Sequence, residues 1–389
     1  MANQPTVAVP SPARPLTRGP RHHFFGYYDK CPWNAGGHLV LALETGFMDR
    51  PPNPEDRATV GLIDLERDGQ WRPLASTRAW NWQQGSMLQW LGQDPDRLIL
   101  YNTRDQGRCA ASIHDIHSGE TTPLPRPVYA LAPDGESALS VNFARIHRHR
   151  PGYGYIGADD PWADQPHPAA DGIHRLDLRS GRSELIVSLD QIARLDPHPS
   201  TAGVWHWFNH LQYSPDGQRF CFLHRWVGAD GRRRSRLFTA RPDGSQLYCL
   251  ADDDLVSHFD WRDPGRLLAW ARRKDIGDYF LLFTDQTDQV EVLGRDILSE
   301  DGHCSFSPEG RWLLTDTYPD ADSQRTLILY DLQRKQRHDI GSFYALPHIS
   351  GEIRCDLHPR WNRDGTQLCF DSVHEGTRQM YCMDLGKTV

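Results

Sequence analysis

Four histidines in the C-terminal two-thirds of the chain share one local context. His210, His258, His303 and His358 each stand three residues ahead of an aromatic residue (Tyr213, Trp261, Phe306 and Trp361), and a glycine follows each aromatic four residues on. Two kinds of chemistry suit imidazoles in a common register. Neutral imidazole is a ligand for Zn, Mn or Fe, and Cys355, three residues before His358, could add a thiolate. An imidazole also titrates near neutral pH, so it serves as a general base. A single histidine is more often a hydrogen-bonded packing residue than a functional one. Four at one offset carry more weight, although their spacing matches no zinc-finger pattern.

Other polar segments accompany this register. His22-His-Phe-Phe-Gly-Tyr-Tyr-Asp-Lys30 and Trp80-Asn-Trp-Gln-Gln-Gly85 approach the first two copies of the pattern, and they supply Tyr28, Lys30 and Gln84 as candidate substrate contacts. The longest insertion begins at Asn142 and places three arginines (Arg145, Arg148, Arg150), two histidines and two tyrosines within 14 residues. Long loops are commonly functional, and arginine's planar fork grips carboxylates, so a carboxylate-binding lid is expected here. The plain alternative is a solvated basic loop. Arg225, Arg354 and Arg360 add positive charge near the histidines. No GxSxG, Walker or GxGxxG motif lies in a strand-to-helix context. Asp252-Asp-Asp254 lacks the remainder of a calcium loop.

The elements that position these residues are repeated. Tyr213-Ser-Pro-Asp-Gly217, Phe306-Ser-Pro-Glu-Gly310 and Trp361-Asn-Arg-Asp-Gly365 each lead into a short apolar run. Weaker copies occur at Trp33, Trp90, Leu131 and Trp261, and at the histidine offset the first three of these carry Lys30, Met87 and Val128. Apolar runs separated by Asp-Gly-type turns are hairpin chemistry. Seven copies at roughly 40–55 residues match the four-stranded blades of a propeller. The expected architecture is therefore all-β: one seven-bladed β-propeller over residues 16–389, preceded by a flexible Pro-rich tail over 1–15. The last copy ends near Leu385, so its outer strand has to come from the N-terminal segment. In such a ring, the histidine positions face one another across one mouth of the central channel.

Composition narrows the function. Lys plus Arg total 43 against 51 for Asp plus Glu, an acidic balance that argues against a nucleic-acid partner. No apolar run reaches membrane-span length, and the N-terminus shows no signal-peptide core, so a cytoplasmic protein with no membrane partner is expected. The eight cysteines lack CxxC pairs, which fits reduced thiols.

At Asn209-His-Leu-Gln-Tyr-Ser-Pro-Asp-Gly217 and Cys355-Asp-Leu-His-Pro-Arg-Trp361 the chain resembles the oligogalacturonate lyase family, cytoplasmic seven-bladed propellers that cleave short uronic-acid chains by β-elimination. A weaker likeness is to the ulvan lyases. The resemblance implies His358 and His303 as ligands of a divalent metal, Mn or Zn, and His258 as the catalytic base. The family's Gln-x-x-His-x-His motif reads here Cys355-x-x-His358-x-Arg360, which makes Cys355 a candidate third ligand. On this reading His210 assists His258, and Arg145, Arg360 and Lys30 bind the carboxylates of an oligosaccharide substrate. Two alternatives stand beside it. One is a non-catalytic propeller used as a sugar-binding or protein-interaction scaffold. The other is a different carbohydrate enzyme, but a glycosidase needs two carboxylates and the register supplies only Asp260.

Overall fold

The computed structural model describes residues 12–386 apart from residue 198. Seven antiparallel sheets of four strands each form the ring. Blade 1 runs from His22–Phe24 to Gln70–Thr77, blade 2 from Gln89–Trp90 to Thr121–Leu124, and blade 3 from Ala130–Leu131 to Ser183–Ser188. Blade 4 runs from His206–Tyr213 to Tyr248–Ala251, blade 5 from Val256–Asp263 to Val290–Val292, and blade 6 from Ser305–Phe306 to Gln336–Tyr344. Blade 7 has Arg360–Trp361, Gln367–Ser372 and Gln379–Asp384, and its outer strand is Arg14–Pro15. Arg14 pairs with Cys382 and Pro15 with Tyr381, so the N-terminal segment closes the ring as expected. Residues 14 and 15, placed in the tail by composition, are thus part of the last blade. Residues 1–11 of that tail lie outside the described residues.

The repeated phrase has a physical role. Its glycine ends the hairpin between the innermost and second strands, where φ is positive (+69° at Gly217, +73° at Gly310) and a side chain would be strained. Its aromatic ties neighbouring blades together. The indole of Trp90 donates to Pro32 O (2.8 Å), that of Trp261 to Gln212 O and that of Trp361 to Ser305 O (both 3.4 Å), each on the preceding blade. The apolar run after the turn becomes the second strand, buried on both faces, as at Phe220, Phe222 and Leu223. Blade 5 differs. Asp263 pairs directly with Arg266, leaving Pro264-Gly265 as a two-residue turn, and Gly265 keeps a negative φ.

Helix is confined to short segments. Phe143–His149 begins the long insertion and is capped by Asn142, whose side chain accepts from Arg145 N. Leu189–Arg194 follows blade 3 and is capped by Ser188. No helix among the described residues is long and apolar enough to cross a membrane. All eight cysteines are unpaired.

Candidate metal and proton-transfer site

The four register histidines converge on one tyrosine. Ring centroids of His210 and His358 lie 5.0 Å from that of Tyr27, His303 lies at 5.9 Å and His258 at 6.4 Å. His258 and His303 are 4.1 Å apart and His303 and His358 4.3 Å. Backbone geometry explains the convergence. His210 and His358 have left-handed φ (+53° and +44°), and register shifts interrupt the inner strands at Asn209/Gln212 and Val256/Phe259. Such irregularities re-aim side chains, here toward the channel. Tyr27 follows Gly26, where φ is +133° and a Cβ would lie 2.8 Å from the backbone of Gln84, so only glycine lets the chain enter between blades.

Each histidine of one neighbouring pair is oriented by a carboxylate. His258 Nδ1 lies 2.9 Å from Asp301 Oδ1, and His303 Nδ1 lies 2.9 and 3.0 Å from the two oxygens of Asp316. With Nδ1–H directed at a carboxylate, each ring presents Nε2 as its basic nitrogen. Burial pulls the His258 imidazole below its ordinary value against the pull of Asp301. For His303 the Asp316 carboxylate outweighs burial and raises it. Burial, with Arg225, holds His210 well below the usual range, and burial, with His303, does the same for His358.

A metal-binding geometry exists at one group among the described residues. His303, Asp356 and His358 bring one potential ligand atom each to within 4.8 Å of one another, all three side chains being buried. Nε2 of His303 and Nε2 of His358 are buried without a hydrogen-bond partner, which a coordinating cation would satisfy. Asp356 is ionised: burial disfavours the charge, but Arg354 (Nε–Oδ2 2.7 Å) and Arg325 (Nη1–Oδ1 2.8 Å) hold the carboxyl far below the carboxylate range. Two imidazoles and a carboxylate suit Zn, Mn or Fe.

Asp356 went unrecognised in the sequence, although it stands only two residues before His358. Cys355 was read as the ligand instead. Its thiol is buried in the apolar cluster between blades 1 and 7, and burial pushes it up to about 11, away from thiolate.

The remaining candidates divide. Gln84 reaches the ring: its Nε2 donates to Tyr129 Oη (2.7 Å) and lies 3.4 Å from His210 Nδ1. The Tyr28 ring packs against His258 and His303, but its hydroxyl is fixed between Phe259 O and Phe259 N, both at 2.9 Å. Lys30 pairs with Asp29 at 2.8 Å. Both line a cavity of about 280 Å³ with Gln212, Ser214 and Asp260, toward the hairpin end of the inner strands and away from the histidines. Arg360 is 1% exposed, forks onto Asp371 (3.1 and 2.9 Å), and donates to Tyr27 O and Gly26 O, so it supports Tyr27. Arg145 spends its guanidinium on the carbonyls of His206, Trp162, Gln165 and Pro166, pinning the insertion.

Two other arginines take the open position. Arg225 is 4% exposed with its Nε unpartnered, and Arg150 Nε is likewise buried and unpartnered. Among the described residues neither forms an ion pair with a carboxylate. Burial and then the neighbouring Arg150 charge pull Arg225 down to about 10. An unpaired, desolvated guanidinium beside a second one is costly unless an anion joins them.

No family model matches the chain, and no curated protein matches it. Solved structures do. An oligogalacturonate lyase from Vibrio parahaemolyticus is 14% identical with a TM-score of 0.65 over 96% of this chain and 93% of that one. An oligogalacturonate lyase in complex with manganese is 16% identical with a TM-score of 0.68 over 96% and 93%. The propeller domain of the Trilobed protease from Pyrococcus furiosus, 10% identical, reaches 0.53 over 90% and 93%. At these identities the likeness is one of fold, the β-propeller, which lyases and peptidases both use.

Proposed function

We propose that the protein is a lyase that cleaves uronate-containing oligosaccharides by β-elimination at the histidine mouth of its channel. The observation that carries this reading is the juxtaposition of a carboxylate-oriented histidine, His258–Asp301, with the His303–Asp356–His358 group and the unpaired Arg150 and Arg225. The name of the manganese-bound lyase supports it at the level of that protein's fold.

Elimination from a 4-linked uronate begins with loss of the C5 proton, beside the carboxylate. His303, Asp356 and His358 would hold a divalent cation, Mn or Zn. When bound, such an ion neutralises the uronate carboxylate and makes the adjacent proton more acidic. Arg150 and Arg225 provide the anion site for a substrate carboxylate. His258 Nε2 receives the proton, and the imidazolium that forms already faces Asp301. General-base catalysis of this kind contributes about 10²–10⁴-fold. His210, stacked on Tyr27 and held by Gln84, assists as a neutral imidazole.

The test is metal content of the purified protein followed by ultraviolet detection of unsaturated uronate with a panel of uronate oligosaccharides. Metal together with an unsaturated product is expected, and replacing His258 and His210 together should abolish that product. Elimination that survives the double replacement, or bound metal with no product from any uronate, overturns the assignment; the latter favours a binding scaffold.

A further inference from the structure

We infer that Tyr153 is a second proton-transfer group of this mouth, donating the proton that the departing sugar oxygen requires. The inference rests on the elimination reading above. Tyr153 comes from the insertion and reaches the histidines: its ring lies edge-on to Tyr27 at 6.4 Å and to His210 at 5.7 Å, and it is 2% exposed. Its Oη accepts from Arg354 Nη2 at 2.7 Å, and the Arg150 guanidinium lies 4.2 Å from its ring centroid.

Other buried phenols of the region are bound differently. Tyr28 bonds the Phe259 backbone, Tyr129 bonds Gln84 and the His210 N–H, and Tyr155 accepts from Asn102. Burial raises all three. For Tyr153 burial also pushes upward, but Arg354 and then Arg150 outweigh it and bring the phenol to about 8. It therefore carries its proton at neutral pH and releases it readily.

The mount is rigid. A Cβ at Gly152 would lie 2.9 Å from Glu352 Cβ, and one at Gly154 would lie within van der Waals overlap of Phe143 O, so the flanking glycines press the loop onto both the approach to blade 7 and the insertion helix. The charged and titratable groups that face the phenol are Arg150 on its own loop, Arg354 and Asp356 before blade 7, Tyr27 on blade 1, His210 and Arg225 on blade 4, His303 before blade 6 and Tyr318 on blade 6.

The step balances. The C5–H bond breaks and its proton passes to His258 Nε2, while the C–H electron pair is taken up by the adjacent carboxylate. As the C4–O bond breaks, that pair returns to form the C4=C5 double bond, the C4–O pair leaves with the oxygen, and the oxygen takes the proton of Tyr153 Oη. The imidazolium is opposed by Asp301 and the phenolate by Arg354 and Arg150, so each new charge forms beside its opposite. Proton exchange with solvent restores both groups.

The experiment uses the full chain and has two arms. In the first, tyrosinate absorbance is followed against pH for the wild type, Tyr153→Phe and Arg354→Gln. The wild type should gain about one tyrosinate below about pH 9, Tyr153→Phe should lack that step, and Arg354→Gln should move it upward. Identical wild-type and Tyr153→Phe curves over that range overturn the inference, whatever the substrate. In the second arm, Tyr153→Phe should lower kcat by about 10²–10⁴-fold on a natural oligouronate and recover on a substrate with a nitrophenyl leaving group, which departs without protonation. An unchanged kcat in a turning-over enzyme, or an equal loss on both substrates, sinks the proton-donor role alone. A wild type that turns over no uronate sinks the elimination reading and the donor role with it, while the titration still reports the ionisation.

Discussion

Asp301 approaches His258 from the segment between blades 5 and 6, its Oδ1 2.9 Å from Nδ1, and so fixes the tautomer of a ring that stands on another element. The carboxylate accepts the Nδ1–H hydrogen bond and leaves Nε2 to face the channel. His258→Ala should lower the elimination rate by about 10²–10⁴-fold, and Asp301→Asn by a smaller factor, with metal content unchanged in both. Initial rates and metal analysis on the same preparations check this; loss of metal in Asp301→Asn would show that His258 belongs to the metal group instead.

Metal occupancy should follow Asp356 and not its neighbour. His303→Ala, His358→Ala and Asp356→Ala are expected to lose bound divalent metal, whereas Cys355→Ser keeps it. Adding metal at about 100 times its Kd should stabilise the wild type by about 2.7 kcal/mol and leave the three depleted variants unshifted. Thermal melts with and without chelator read this directly.

The arginines separate structure from binding. Arg360→Ala leaves Asp371 buried and unpaired and should cost about 3–5 kcal/mol of stability. Arg225→Met removes an unpaired buried charge, so it should keep or raise the Tm while raising KM for an anionic substrate. Equal destabilisation of the two variants would contradict this division.

Acid should destabilise the fold through two buried histidines. Burial, followed by Arg126, lowers His174 to about 4, and burial lowers His206 to about 4 as well. Both are neutral in the folded state and bind a proton more readily when unfolded. Their contribution is complete above the ordinary histidine value of about 6.5 and is lost as pH falls toward 4, by about 1.4 kcal/mol per pH unit for each group. His174 Nδ1 has no partner, and His174→Leu should flatten the decline between pH 6.5 and 4. Denaturation midpoints over that range measure the slope; a slope unaltered by the substitution would count against it.

The blade count, the N-terminal closure and the histidine register were legible in the sequence because each depends on a pattern repeated along the chain. Contacts across the ring were not. Arg360 reads as a free cation until the fold brings Asp371 and the Tyr27 carbonyl to it. Arg145 reads as a lid residue until carbonyls 17 to 61 residues away, on the insertion and at the start of blade 4, surround it. Tyr27 lies at the centre of the four imidazoles yet belongs to no copy of the repeat, so periodicity gives it no prominence. Asp356 was hidden by an adjacent cysteine whose type suggested metal chemistry that its apolar surroundings suppress.

Met87 occupies the register position of His210 and His358 and shares their left-handed backbone, with φ of +53° against +53° and +44°. At these three places the blade sets the main-chain path, whichever side chain it carries. The mouth thus resembles a turret with interchangeable sockets. A single codon change at Met87 installs another imidazole without rebuilding a loop, and one at His210 withdraws one. Propellers of this kind can therefore exchange metal, substrate charge or catalysis itself in small evolutionary steps, while the ring that carries them stays the same.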